Sequence, residues 1–278
     1  MLGRIALDLT NDANQARRVQ TAIQLAVHHK AELIGVCTDL PPPYMYGVAG
    51  ASGQILAKLL EQIAREKVET KERFLKQAAL AGINAQCRMP NGSIEEALAV
   101  HARSCDLLIM SQTDAAQPNW AIPASVVDSV ITAAGRPVLV TPYIGQIQRP
   151  IGQHVLFCWD YGRRSARALA DAAPIISAAS TLTVLTVDPQ PELLRSLDIE
   201  SGDLSAYCAA HSYPKPREVH TSSEGIGVGN SILNAATDYG CDMIVMGLYN
   251  RSRVREWILG GTSKTLLQSM TVPIVFSH

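Results

Sequence analysis

The residues best suited to chemistry lie in one stretch near the end of this 278-residue chain, MGLYNRSRVREWILGGTSKTLL over residues 246–267. There Gly260 and Gly261 precede Thr262 and Ser263, at the start of a helical pattern near Lys264. Two residues without Cβ let a backbone approach a ligand closely, and the free amides of a helix N-terminus attract an anion. The hydroxyls of Thr262 and Ser263 add donors, and Arg251, Arg253, Arg255 and Lys264 place positive charge beside the loop. The chemistry this favours is phosphate binding. The same residues also fit a helix-entry turn with a solvated basic rim.

Other chemistries are not supported. There is no G-x-x-x-x-G-K-[ST], because Lys264 follows Ser263 rather than a glycine, and no G-x-S-x-G elbow. GIGVGNS from Gly225 has Asn230 where the last glycine of G-x-G-x-x-G belongs, and it reads as a flexible loop before a helix. Six cysteines without a C-x-x-C pair, and seven histidines without H-E-x-x-H, give no metal site; the thiols read as reduced and partly buried. A formal net charge of -1 argues against nucleic acid as a partner. No apolar run is long enough to span a bilayer, so a cytoplasmic protein is expected. No catalytic base or metal aimed at a phosphate is assembled, so no catalytic residue is assigned.

These residues sit within a repeated unit. CDLLIMSQTD from Cys105 and CDMIVMGLYN from Cys241 lie 136 residues apart, as do GRPVLVTP and TVPIVFSH around Pro137 and Pro273. The halves also open alike, at RIALDLTND from Arg4 and HVLFCWDYG from His154. Short apolar runs alternate with helical patterns, which predicts βαβ units and a parallel sheet. In the second half the pattern predicts strands at HVLFCW, TLTVLTVD, REVHT, DMIVMG and PIVFS, with helices over about 163–179, over NSILNAATDYG and over SKTLLQSM. The first half adds a helix over about 56–81, after the loop PPPYMYGVAGASG. Two domains are expected, residues 1–144 and 152–278, divided by a linker bounded by Pro142 and Pro150. Ligands of such sheets bind beyond the carboxyl ends of the strands, which singles out Asp160, Val187, Asp188 and the loop from Gly247.

That last loop resembles the universal stress proteins, whose nucleotide-binding members carry G-x2-G-x9-G-[ST] after strand four. Gly247 and Gly260 match, while Asn250 stands at the second glycine and Gly261 at the Ser/Thr position. Asn tolerates positive φ better than other side chains, and Thr262 or Ser263 is placed to replace the missing hydroxyl. With SRVREWILGG and TVPIVFSH as flanks, nearly the whole chain resembles tandem bacterial members of the family. The resemblance implies an α/β fold of two tandem universal-stress-protein-like domains, each an open five-stranded parallel sheet with helices on both faces, Rossmann-like. It further implies that Asp160 lies at the nucleotide and that Val187 presents backbone to the adenine. The implied ligand is ATP, AMP or ADP, with Mg2+ where required.

At matched positions the first half carries Ser111, Asp114, Ala124 and Ser125, so side chains stand where glycines are wanted and one is an anion. Asp114 repels phosphate, and Pro123 removes an amide donor. This half is expected not to bind nucleotide, and Asp8 is expected to act as a cap or loop residue. The chain then reads as a stress-associated module that binds an adenine nucleotide in its C-terminal domain and signals that state to a partner. The alternatives are an ATP-independent member of the family acting through dimerisation or another small ligand, and a slow nucleotide hydrolase. The apolar fifth strands predict an intrachain pseudo-dimer of domains meeting around residues 138–140 and 274–276, with a homodimer using another surface.

Overall fold

A computed structural model describes residues 1–38, 53–114, 123–145, 150–200, 202–248 and 261–278. The chain divides into two compact units, Leu2–Tyr143 and Ile144–His278, the latter joined by Met1.

In the N-terminal unit the elements run β1 (Arg4–Asp8), α1 (Gln15–His29), β2 (Glu32–Val36), α2 (Gly53–Leu80), β3 (Ala85–Arg88), α3 (Ile94–Ala102), β4 (Leu107–Ser111), α4 (Ala124–Ala133) and β5 (Val138–Thr141). The strands are parallel in the order β3-β2-β1-β4-β5, with Ile5 opposite both Leu33 and Leu107. β4 is buried at every position, LLIMS, which accounts for its continuous apolar run: a strand covered on both faces has no polar side to show. Helix α1 ends on Lys30, whose left-handed φ of 57° lets its amide bond back to Ala26 and Val27.

The C-terminal unit runs β6 (His154–Cys158), α5 (Arg163–Asp171), α6 (Ala173–Ala178), β7 (Thr181–Val187), α7 (Pro191–Ser196), α8 (Asp203–Ala210), β8 (Pro216–Thr221), α9 (Val228–Asp238), β9 (Met243–Gly247), α10 (Gly261–Ser269) and β10 (Ile274–Ser277). Its parallel sheet has the order β10-β9-β6-β7-β8. Each unit is a five-stranded, doubly wound α/β domain. The helix expected over about 163–179 is two helices. Pro174, at the start of α6, can neither donate the next helical hydrogen bond nor fit its ring against the preceding turn. Between β7 and β8 the chain forms two further short helices, α7 and α8. The loop at 41–54 falls almost wholly outside the described residues.

The repeated Cys-Asp pair holds the start of each central strand. Asp106 accepts the amides of Gly3 (2.7 Å) and Arg4 (3.0 Å), and Asp242 accepts those of Gly152 (2.7 Å), Gln153 (3.1 Å) and His154 (3.0 Å). Burial pushes the Asp242 carboxyl up from its ordinary value, with these amides working against the rise. The repeat at Asp106 and Asp242 is therefore architectural, at the opposite end of the sheet from the candidate ligand crevice.

Candidate nucleotide site

In each sheet the chain leaves two neighbouring strands in opposite directions, β1 toward β2 and β4 toward β5, or β6 toward β7 and β9 toward β10. The crevice beyond the carboxyl ends of such a pair is where an open α/β sheet takes its ligand.

In the C-terminal unit β6 ends before Trp159, Asp160 and Tyr161. Asp160 is exposed, and its Oδ1 accepts the amide of Gly162 (2.8 Å) and the hydroxyl of Ser165 (2.6 Å). It thus ties down the entry to α5, whose own N-cap, Gly162, has no side chain to do so. Its Oδ2 makes no hydrogen bond among the described residues. Tyr161 follows with φ 57°, a left-handed conformation uncommon for a bulky residue, so this loop is held out of its relaxed geometry. Trp159 lies between Phe157 and Tyr161, with ring centroids 5.8 and 5.3 Å away. Burial, then the neighbouring Asp160 charge, pushes the Cys158 thiol far up, so it stays protonated and unreactive.

Gly247 ends β9 directly beneath α5. A Cβ built there meets the Arg164 carbonyl carbon at 2.5 Å and its oxygen at 2.6 Å. The absence of a side chain at Gly247 therefore lets the first turn of α5 close onto the sheet, whatever binds nearby. The Arg164 guanidinium reaches over to the carbonyl of Leu248 at 3.3 Å, joining the ends of β6 and β9. Val187 closes β7 opposite Thr221. The next residue, Asp188, adopts φ 51° and accepts both the amide (2.8 Å) and the hydroxyl (2.6 Å) of Ser223. Asp188 positions the loop between β8 and α9.

Helix α10 opens on Gly261, with nothing among the described residues within 4 Å of a Cβ built there. Thr262 is half-buried and Ser263 is fully buried. The first turn of α10 packs on α9 at Gly229, where a Cβ would sit 2.9 Å from Thr265 and 3.3 Å from the Thr262 carbonyl. GIGVGNS is thus not the flexible loop its composition indicates. Its second half is the start of α9, and Gly229 serves helix packing, while Gly225 and Gly227 take positive φ in the preceding turn. Asn250, Gly260 and the arginines 251, 253 and 255 lie outside the described residues.

The crevice of the N-terminal unit is filled. Arg18, from α1, has a fully buried side chain. Its Nε donates to the carbonyl of Asp8 (2.9 Å), Nη2 to that of Thr10 (2.6 Å), and Nη1 to both carboxylate oxygens of Asp12 (2.8 Å each) and to Ser111 Oγ (3.0 Å). Asp8 Oδ2 stands 3.4 Å from Nε, while its Oδ1 takes the amide (2.9 Å) and hydroxyl (2.6 Å) of Thr10. Asp8 is therefore neither a cap nor a loop residue but the buried last residue of β1. Asp114 is buried after β4, and Ala124 and Ser125 form the first turn of α4 behind Pro123. Nothing in loop motifs points to Arg18. The signal was periodicity, since Arg18, Ala22, Leu25 and His29 share the buried face of α1.

The sequence matches the universal stress protein family twice, over residues 2–142 and 152–278. The chain belongs to that family, with two tandem copies of its domain. Among solved structures it is similar to a universal stress protein from Archaeoglobus fulgidus DSM 4304, with a TM-score of 0.71 at 17% identity, covering 98% of this chain and 97% of that one. It is also similar to a protein from Pseudomonas aeruginosa UCBPP-PA14 assigned as a universal stress protein, with a TM-score of 0.63 at 15% identity, covering 99% and 93%. At these identities the likeness is one of fold. No curated protein matches the sequence significantly. Among the described residues no group of His, Cys, Asp and Glu is placed to hold a metal ion, and no helix is long and apolar enough to cross a membrane.

Proposed function

We propose that the chain binds one adenine nucleotide, ATP or its mono- or diphosphate with Mg2+, in the C-terminal unit, and acts as a cytoplasmic stress-response module whose occupancy a partner reads. The observation that carries this is the contrast between the two crevices. In the N-terminal unit a guanidinium fills the space between the ends of β1 and β4. In the C-terminal unit the corresponding edge offers an exposed carboxylate at Asp160 and a nine-residue helix opening on Gly261, with no described residue within 4 Å of a Cβ built there. In this reading the amides of Gly260 and Gly261 and the hydroxyls of Thr262 and Ser263 receive phosphate at the positive end of α10. Gly247 and Asn250 shape the loop, Val187 offers backbone to the base, and Asp160 lies at the nucleotide with Oδ2 available. The pairing of the fifth strands within one chain, and a homodimer through another surface, belong to the same proposal.

Titration calorimetry of the whole chain with ATP and Mg2+, together with the absorbance and mass of nucleotide released from purified protein, tests this. A stoichiometry near one is expected. Two sites would show the N-terminal unit to be competent. An absence of both heat and bound nucleotide would favour an ATP-independent module acting through dimerisation or another small ligand. Recovery of diphosphate after loading with triphosphate would identify a slow hydrolase.

A further inference from the structure

The Arg18 cluster carries an inference independent of nucleotide binding in the other unit. A buried polar cluster in a core is ordinarily a liability, since each charge removed from water must be matched by a partner. Here every nitrogen of the guanidinium is matched. The guanidinium donates to the carbonyls of Asp8 and Thr10, to both carboxylate oxygens of Asp12 and to the hydroxyl of Ser111, at the end of β1, in the following loop and at the end of β4. The hydroxyl network extends through Ser111 to Thr141 on β5 (3.2 Å) and through Thr10 to Thr38 beyond β2 (2.6 Å). A planar cation thus sits at the switch point, coordinated as a bound ligand would be, and the helix that carries it is part of the same domain.

We propose that the N-terminal unit is internally liganded: the Arg18 guanidinium is the permanent occupant of its crevice, in a site whose chemistry selects a planar cation and rejects phosphate. Charge supports this selectivity. Two carboxyl groups, those of Asp8 and Asp12, face the one guanidinium, and Asp8 Oδ2 is buried without a hydrogen-bond donor among the described residues. Burial pushes the Asp12 carboxyl up from its ordinary value, with the Arg18 charge working against the rise. Burial works against the Arg18 charge, but the two carboxylates outweigh it and hold the group firmly cationic. An incoming phosphate would meet carboxylates where the usual anion site offers amides. The unit therefore needs no external ligand to complete its fold.

The test uses the full chain with Arg18→Ala, which removes the guanidinium and leaves its partners in place. Thermal unfolding is followed with added guanidinium or methylguanidinium chloride, at concentrations well below those that denature, against NaCl at equal ionic strength. Free guanidinium is expected to raise the melting temperature of the variant by a few degrees, by binding the native state, and to leave or lower that of the wild type. ATP should not substitute for it. The same response to guanidinium in variant and wild type overturns the proposal. If Arg18→Ala fails to fold, the wild-type protein decides. Its Arg18 Nε–H, recognised in a 1H–15N spectrum by its loss in Arg18→Lys, should exchange slowly with solvent and stay unmoved at saturating ATP. Fast exchange, or displacement by ATP, overturns the proposal.

Discussion

Two glycines of the candidate loop, Gly247 and Gly261, have opposite surroundings, and substituting each by alanine should have opposite effects on stability. At Gly247 the new methyl carbon would lie 2.5 Å from the Arg164 carbonyl carbon. Carbon atoms rest at about 3.5–4.0 Å, so the first turn of α5 must retreat by roughly 1 Å. Overpacking of this kind costs about 1–3 kcal/mol, and the upper end is expected because the opposing atoms are backbone and cannot change rotamer. At Gly261 no described residue lies within 4 Å of the new methyl, and the residue is already helical. Alanine there is neutral or stabilising, by up to about 1 kcal/mol. Nucleotide affinity should respond differently. In the G-x2-G-x9-G-[ST] pattern position 261 carries Ser or Thr, so a methyl there is compatible with phosphate and Gly261→Ala should leave affinity unchanged. Gly260→Val, at a glycine of the pattern, should lower it at least tenfold, about 1.4 kcal/mol, if this turn receives phosphate. Urea unfolding with an unchanged m-value reads stability, and calorimetry reads affinity. Wild-type affinity in Gly260→Val would refute the phosphate role of this turn. Wild-type stability in Gly247→Ala would refute the close approach of α5.

Burial, with the nearby charges of His28 and the N-terminus, pushes His29 down from the usual 6.5 to about 4, and its Nδ1 is buried with no hydrogen-bond partner among the described residues. Between those values the unfolded chain binds more protons, so stability should fall as pH drops from 6.5 toward 4, by at most about 3 kcal/mol; unfolding free energies of wild type and His29→Gln across this range check it, and equal slopes would remove His29 as the cause. Thr262→Ala should weaken ATP binding by about 0.5–1.5 kcal/mol with little change in stability. Ser263→Ala, at a fully buried position, should lower the urea midpoint as well as the affinity for ATP, and the pair of variants compared by calorimetry and unfolding separates the two contributions.

The parts of the fold legible in the sequence were those governed by periodicity and repetition. The apolar runs LLIMS and MIVMG could only be strands covered on both faces, and the paired Cys-Asp positions betrayed two copies of one unit because the same carboxylate must hold the same strand start in each. Glycines were less legible, because one residue type serves unrelated demands. Gly229 makes room for a helix, Gly227 for a turn of positive φ and Gly247 for an approaching backbone, and none of these needs a phosphate. A glycine-rich string reports that something comes close and does not say what. The same ambiguity in reverse hid Arg18. A positive residue in a helix reads as a solvated face unless its partners are known, and Asp8, Asp12 and Ser111 are gathered from separate elements only by the fold. The difference between the two crevices therefore rests on more than the glycine motif by which they are compared. The first half lacks the glycines, and it also carries a cation of its own in the space a ligand would need.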